Sequence, residues 1–220
     1  KSQGKPVGAG IIFIPIFLVV CLLVAPLDAR MLATLGCMFL VMLAGYMDDR
    51  AGGFSEYVLG LIDLAVGVLG AMAICGLEPY PLWLPFVTTE LTVSPWIFVP
   101  FAAVLIWLAI NATNCTDGVD GLSASLCGMA FIYLAGILYG IVGHREVARY
   151  LLVPHYQDGA GWAILAFVMV GCLAGYLWYN ANPSKVLMGD AGSRPMGLLL
   201  GMLVLACGNP VLIFVVAGVV

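Results

Sequence analysis

The chain has 220 residues, of which 63% are hydrophobic and 9% charged, with a mean hydropathy of +1.11. Soluble globular domains carry about 25% charged residues, so the composition excludes that class and describes a polytopic membrane protein. A net charge of -4 leaves no basic face for a nucleic-acid partner. The seven cysteines show no CxxC or metal-type spacing and, Cys115 apart, lie in apolar runs as small hydrophobes.

Crossing about 30 Å of hydrocarbon at about 1.5 Å per residue takes roughly 17–25 apolar residues. Seven runs can be drawn: Gly10 to Ala25, Met31 to Met47, Tyr57 to Gly76, Pro95 to Ile110, Leu122 to Val142, Gly161 to Tyr179, and a short one from Pro195 to Cys207. An eighth starts near Pro210 and is still apolar at Val220. The expected fold is an all-α transmembrane helix bundle forming one domain. The polar start from Lys1 to Pro6 is not a signal peptide, because no cleavage-type small-residue site follows the apolar run. Together with the apolar finish, it leads to the expectation that further spans lie outside the 220 residues.

The connections alternate between two faces. Lys1 to Ala9, Asp48 to Glu56, Asn111 to Gly121 and Asn180 to Arg194 are separated by two spans each and fall on one side. Pro26 to Arg30, Leu77 to Ser94, His144 to Gly159 and Gly208 to Pro210 fall on the other. Lys1, Lys5, Arg50, Lys185 and Arg194 against Arg30, Arg145 and Arg149 assign the first side to the cytoplasm.

Each loop of that first side carries more than turn residues. Gly4-Lys5-Pro6-Val7-Gly8-Ala9-Gly10 is a glycine-rich, basic approach to the first helix. Asp48 and Asp49 end the second helix, where two carboxylates meet the unfavourable end of the helix dipole. The longest polar interruption, Asn111 to Ser123, holds Asp117 and Asp120, each followed by a glycine. Met188-Gly189-Asp190-Ala191-Gly192-Ser193 brackets another acid with glycines before the next helix, a pattern suited to phosphate. Any one of these also reads as a hydrophilic turn.

Together they put Asp48, Asp49, Asp117, Asp120 and Asp190 on one membrane face, a cluster that is unfavourable unless a cation neutralises it. Without histidine in those loops, an all-oxygen donor set points to Mg²⁺ or Mn²⁺. Two classes fit: a phosphotransferase with a lipid phosphate acceptor, and a cation transporter. A transporter places its ionisable residues at the bilayer midplane, whereas Asp63 is the one acid well inside an apolar run.

Asn111-Ala112-Thr113-Asn114-Cys115-Thr116-Asp117-Gly118-Val119-Asp120-Gly121-Leu122 resembles the NAxNxTDGxDGL signature of the polyprenyl-phosphate N-acetylhexosamine-1-phosphate transferases, in the form typical of the phospho-N-acetylmuramoyl-pentapeptide transferase branch. Leu177 to Pro183 with Val186 to Ser193 is similar to that family's LWFNxxPxxVFMGDxGS stretch, and Asp48-Asp49 to its acidic pair. Gly4 to Gly10 is a looser version of its GTPTMGG segment. The resemblance implies a ten-helix family and transfer of the phospho-sugar of UDP-MurNAc-pentapeptide to undecaprenyl phosphate. The products would be lipid I and UMP, for peptidoglycan synthesis, at the cytoplasmic face of a bacterial inner membrane; the resemblance also admits a homodimer. The alternatives are a GlcNAc-1-phosphate transferase and a non-catalytic or cation-transporting bundle.

By the same resemblance Asp190 is the principal Mg²⁺ ligand, with Asp117 beside it. Asp48, assisted by Asp49, deprotonates or orients the lipid phosphate. Asn114, Asp117, Asp120 and Asn180 line the nucleotide and diphosphate pocket. Leu187 stands where the family has a phenylalanine that stacks on uracil, and Lys1 lies one place from an expected phosphate-binding lysine. Arg50 directly after the acidic pair leans toward the GlcNAc branch, and Arg194-Pro195 replaces two small or apolar residues.

Overall fold

A computed structural model describes residues 4–51, 53–84 and 91–217. Its helices are α1 (Gly10–Val24), α2 (Ala29–Ala51), α3 (Glu56–Cys75), α4 (Pro95–Thr116), α5 (Leu122–Gly136), α6 (Arg145–Leu151), α7 (Gly159–Asn180), α8 (Asp190–Ala206) and α9 (Leu212–Ala217), and all but α6, which lies in the His144 to Gly159 connection, follow the apolar runs. A π-helical turn over Ile137–Val142 extends α5. Helices α2, α3, α4, α5 with its extension, and α7 are each 20 to 23 residues long and apolar enough to cross a membrane. Large apolar side chains such as Ile12, Leu23, Leu61, Ile97 and Phe167 face outward, as lipid contact requires. The protein is a multi-pass membrane helix bundle.

Local chemistry sets the ends. Pro95 opens α4 at a position where its missing N–H is no loss. Gly76 closes α3 in the left-handed region that favours glycine. One departure from the expected all-helical pattern lies in the Leu77 to Ser94 connection, where β1 (Tyr80–Leu82) pairs antiparallel with β2 (Leu91–Val93).

Helix α8 is the axis of the bundle. Every residue from Ala191 to Ala206 is buried, and the helix packs against α1, α2, α3, α4, α5 and α7. The run Met196-Gly197-Leu198-Leu199-Leu200-Gly201-Met202-Leu203 is apolar on all sides, as a core helix must be. Gly197 lets the α4 backbone approach so closely that any Cβ there would collide with Ile110 and Ala109. The short run drawn from Pro195 is therefore the central helix, and it begins five residues earlier, at Asp190. Likewise α4 continues to Thr116, so Asn114 rides on a helix whose apolar run stops at Ile110, while α2 runs to Ala51 and carries Asp48 and Asp49 in its last turn, as expected. Polar last turns of spanning helices do not register as apolar runs, which is why the boundaries moved.

The expected pairing of faces is realised. At one end of the bundle the segments around Lys5, Asp49, Asp120 and Leu187 meet. At the other end Tyr80 and Trp83 reach the carbonyls of Leu205 and Cys207, and the Tyr156 hydroxyl donates to the Pro81 carbonyl.

Candidate functional site

The site is assembled on the backbone before any side chain enters it. The segment Pro6 to Gly10 lies alongside Leu187 and Met188: Leu187 N–H donates to the Pro6 carbonyl (3.0 Å), and Gly8 and Ala9 donate to the Leu187 carbonyl (3.1 and 3.0 Å). Asn180, 3% exposed, clips the next loop in place, its Oδ1 accepting from Gly121 N–H (2.9 Å) and its Nδ2 donating to the Val186 carbonyl (2.8 Å). Both ends of that amide are satisfied by backbone. Asn180 thus shapes the pocket from behind, where the sequence reading had it lining the pocket.

Around this frame a cavity of about 410 Å³ is lined by Lys5, Asp49, Asp117, Asp120, Leu187 and Asp190, among others. Lys5 Nζ contacts Asp120 Oδ2 at 3.1 Å and donates to Ser184 Oγ at 2.7 Å, while Ser184 Oγ donates to Asp120 Oδ1 at 2.7 Å. The Ser184 hydrogen bonds first, then Lys5, hold the Asp120 carboxyl below the usual range. Asp117 is in the opposite condition. Burial pushes its carboxyl up to about 6, with Asp190 and Asp49 adding to the rise and the Gly189 backbone N–H opposing it. A desolvated carboxylate beside two others is a group that a cation would stabilise.

Asp49 accepts the Asp190 N–H at Oδ1 and the Ala191 N–H at Oδ2, both at 3.2 Å. It caps α8 from another helix, supplying the acceptor that the first turn lacks and placing negative charge at the favourable end of the dipole. Gly189, at φ +68°, makes this possible, because a Cβ there would collide with the Asp49 carboxylate. The neighbouring Asp48 behaves differently: its Oδ1 accepts the Phe54 N–H across the α2–α3 turn, and it does not line the cavity. Lys1 lies outside the described residues.

Asp190, the first residue of α8, receives Arg194 Nε at Oδ2 (2.7 Å). The Asn114 amide satisfies both its ends when its nitrogen donates to Ser193 Oγ (2.8 Å) and Asp190 Oδ1 (3.1 Å) and its oxygen accepts from Arg194 Nη2 (3.2 Å). Asn114 therefore sits beneath the cavity, bracing Asp190. Arg194 Nη1 also donates to Asp63 Oδ2, across from α3. Sequence reasoning placed the Lys5 segment on this face but missed Ser184, Arg194 and Asp63 as members of this constellation. Asp63 inside an apolar run and Arg194 in place of an apolar residue were the signals available.

Among the described residues no three Asp, Glu, His or Cys side chains close around a point as a finished metal cage. An all-oxygen set with Asp190 and Asp117 facing one cavity still suits Mg²⁺, which takes one or two carboxylates and completes its shell with water and phosphate oxygens. A second, larger cavity, about 660 Å³, is an apolar groove between α1 and α7 lined by residues such as Ile12, Ile16, Cys172 and Tyr176. It reaches Ala9 and Val186, close in sequence to Val7 and Leu187 of the acidic cavity. The arrangement offers a charged cavity for phosphates on one side and an apolar, lipid-accessible surface on the other.

The model of the family described as "Glycosyl transferase family 4" matches residues 31–208. The chain is 45% identical over its whole length to the phospho-N-acetylmuramoyl-pentapeptide-transferase of Treponema pallidum (strain Nichols), covering 62% of that protein. It is 33% identical over its whole length to the protein of the same name from Thermodesulfovibrio yellowstonii, covering 64% of it. To the one from Nautilia profundicola it is 31% identical over 99% of the chain, covering 64%. The chain thus spans a little under two thirds of the length of these relatives.

Proposed function

Because the chain belongs to glycosyl transferase family 4, we propose that it is the larger part of an enzyme that moves phospho-N-acetylmuramoyl-pentapeptide from its UDP donor to undecaprenyl phosphate. An oxygen of the lipid phosphate attacks the phosphorus that bears the sugar. The bond from that phosphorus to the bridging oxygen breaks, and UMP departs with the electron pair. Lipid I is the other product. The observation that carries this reading is the convergence of Asp49, Asp117 and Asp190, from three separate helices or helix ends, on one cavity beside an apolar groove. The names of the relatives supply the substrate class.

Asp190 and Asp117 are the residues to hold Mg²⁺, which when bound neutralises the diphosphate and the charge growing on UMP. Lys5, paired with Asp120 at the cavity edge, is suited to a phosphate contact. Of the adjacent acids, Asp49 is committed to the α8 N-terminus, and Asp48 is the one not bound to that helix. We assign Asp48 to accept or orient the proton of the lipid phosphate, with Asp49 fixing the geometry next to it. The excess of Lys and Arg in the loops on the cavity's face, Lys1, Lys5, Arg50, Lys185 and Arg194 against Arg30, Arg145 and Arg149, supports a cytoplasmic site, where the UDP donor is found.

The test is donor preference. The protein at its natural length, in detergent with undecaprenyl phosphate and Mg²⁺, is expected to release UMP from UDP-MurNAc-pentapeptide at least about tenfold faster than from UDP-GlcNAc, a difference of about 1.4 kcal/mol in transition-state binding. The reverse preference would establish a GlcNAc-1-phosphate transferase.

A further inference from the structure

Arg194 is 6% exposed and Asp63 1% exposed, both well inside the bundle. Asp63 lies about 10 Å deeper along α3 than Glu56, at about 1.5 Å per residue. Ionised groups at such a depth occur only when paired. Pairing alone does not explain their presence, since a buried ion pair replaced on both sides by well-packed apolar residues is often as stable or more so. What distinguishes this pair is its third member. The same guanidinium that meets Asp63 through Nη1 donates through Nε to Asp190 at 2.7 Å and through Nη2 to the Asn114 amide oxygen at 3.2 Å.

Charge explains why both members are needed. Arg194 fixes the Asp190 carboxylate but, by itself, would cancel the negative charge that a divalent cation requires. Asp63, on the far side of the guanidinium, offsets Arg194, so the group of three carries one net negative charge, as a lone Asp190 would. We propose that Asp63 and Arg194 are positioning residues that hold the Asp190 carboxylate in place while preserving the negative charge of the cation site. This rests on the reading of Asp190 as a cation-holding residue.

The test uses the protein at its natural length in detergent, with Mn²⁺ binding followed by electron paramagnetic resonance, with and without UMP, alongside kcat for UMP release. Asp63→Asn leaves Arg194 to Asp190 alone and is expected to weaken Mn²⁺ binding at least about tenfold. The double variant Asp63→Leu with Arg194→Met restores the net charge and removes the brace. Its Mn²⁺ affinity is expected within about threefold of wild type, with kcat at least about tenfold lower. Asp190→Asn serves as the reference. If Asp190→Asn loses Mn²⁺ while Asp63→Asn binds it as wild type does, the positioning proposal fails and the cation reading stands. If the double variant keeps wild-type kcat, the pair is structural only, a result that remains decisive even where Asp63→Asn does not fold. If Asp190→Asn still binds Mn²⁺ normally, or wild type takes up none, the cation reading falls and this proposal with it.

Discussion

The two ends of α8 face the same structural problem and solve it differently. A helix leaves unpaired N–H groups at its start and unpaired carbonyls at its finish, and a buried helix must have both satisfied from outside. At the finish, the Tyr80 hydroxyl donates to the Leu205 carbonyl (3.2 Å), the Trp83 indole to the Cys207 carbonyl (2.9 Å), and the Trp83 backbone N–H to the Gly208 carbonyl (3.0 Å). All of these donors are neutral. At the start, the acceptor is the Asp49 carboxylate, Asp190 and Arg194 follow within the first turn, and Asp63 meets Arg194 from α3. A neutral serine or asparagine would cap α8 adequately. Charge is concentrated at one end of the helix, where stability does not call for it, and that is the end to which the proposed reaction is assigned.

The comparison is broken most easily at Asp190. Asp190→Asn keeps the helix start and most of the hydrogen bonding but removes the charge, so UMP release is expected to fall at least about 10³-fold. The detergent-solubilised fold should remain intact by size-exclusion chromatography. Activity near wild type at saturating Mg²⁺ would remove Asp190 from the metal site. Asp48→Asn is expected to lower kcat about 10²-fold with the donor's affinity little changed, as befits a group acting on a proton in transit. Loss of nucleotide affinity alone would reassign Asp48 to binding.

Much of this was legible in the sequence, and what was not has identifiable causes. Apolar runs located the spanning helices because lipid imposes one length and one polarity on all of them. The order of the loops then put Lys5, Asp49, Asp120 and Leu187 together before any coordinates, since each pair of crossings returns the chain to the same face. Two kinds of fact were hidden. The roles of Asp49 and Asn180 depend on which backbone groups they meet, Asp190 and Ala191 for one and Gly121 and Val186 for the other, and partners distant in sequence leave no local trace. The pairing of Asp63 with Arg194 spans 131 positions. Each was visible as an anomaly in an apolar setting, but only the packing of α3 on α8 makes one the explanation of the other.

Asp49→Asn separates the two functions that meet at the charged end. The substitution weakens a charge-assisted cap, for which about 1 kcal/mol of stability is expected to be lost, and it disturbs the cavity that Asp190 shares, for which a further fall of about tenfold in kcat is expected. Thermal unfolding in detergent and UMP release on the same preparation would report both. A loss of stability with unchanged kcat would make Asp49 a cap and nothing else.

The smallest effect should come from the neutral end, and it is the most informative control. Trp83→Phe removes the indole N–H that serves the Cys207 carbonyl and leaves the Trp83 backbone bond to Gly208 in place. Losing one neutral hydrogen bond at a half-buried position is expected to lower stability by about 1 kcal/mol, similar to Asp49→Asn. Because the bond carries no charge and lies at the opposite end of a helix about 26 Å long, at about 1.5 Å per residue, kcat and Mn²⁺ affinity should stay at wild-type values. Equal losses of stability with unequal losses of activity would show that the charged end is specialised for chemistry. If Trp83→Phe lowered kcat as much as Asp49→Asn does, activity would be following the anchorage of α8 as a whole, and charge at its start would no longer set that end apart.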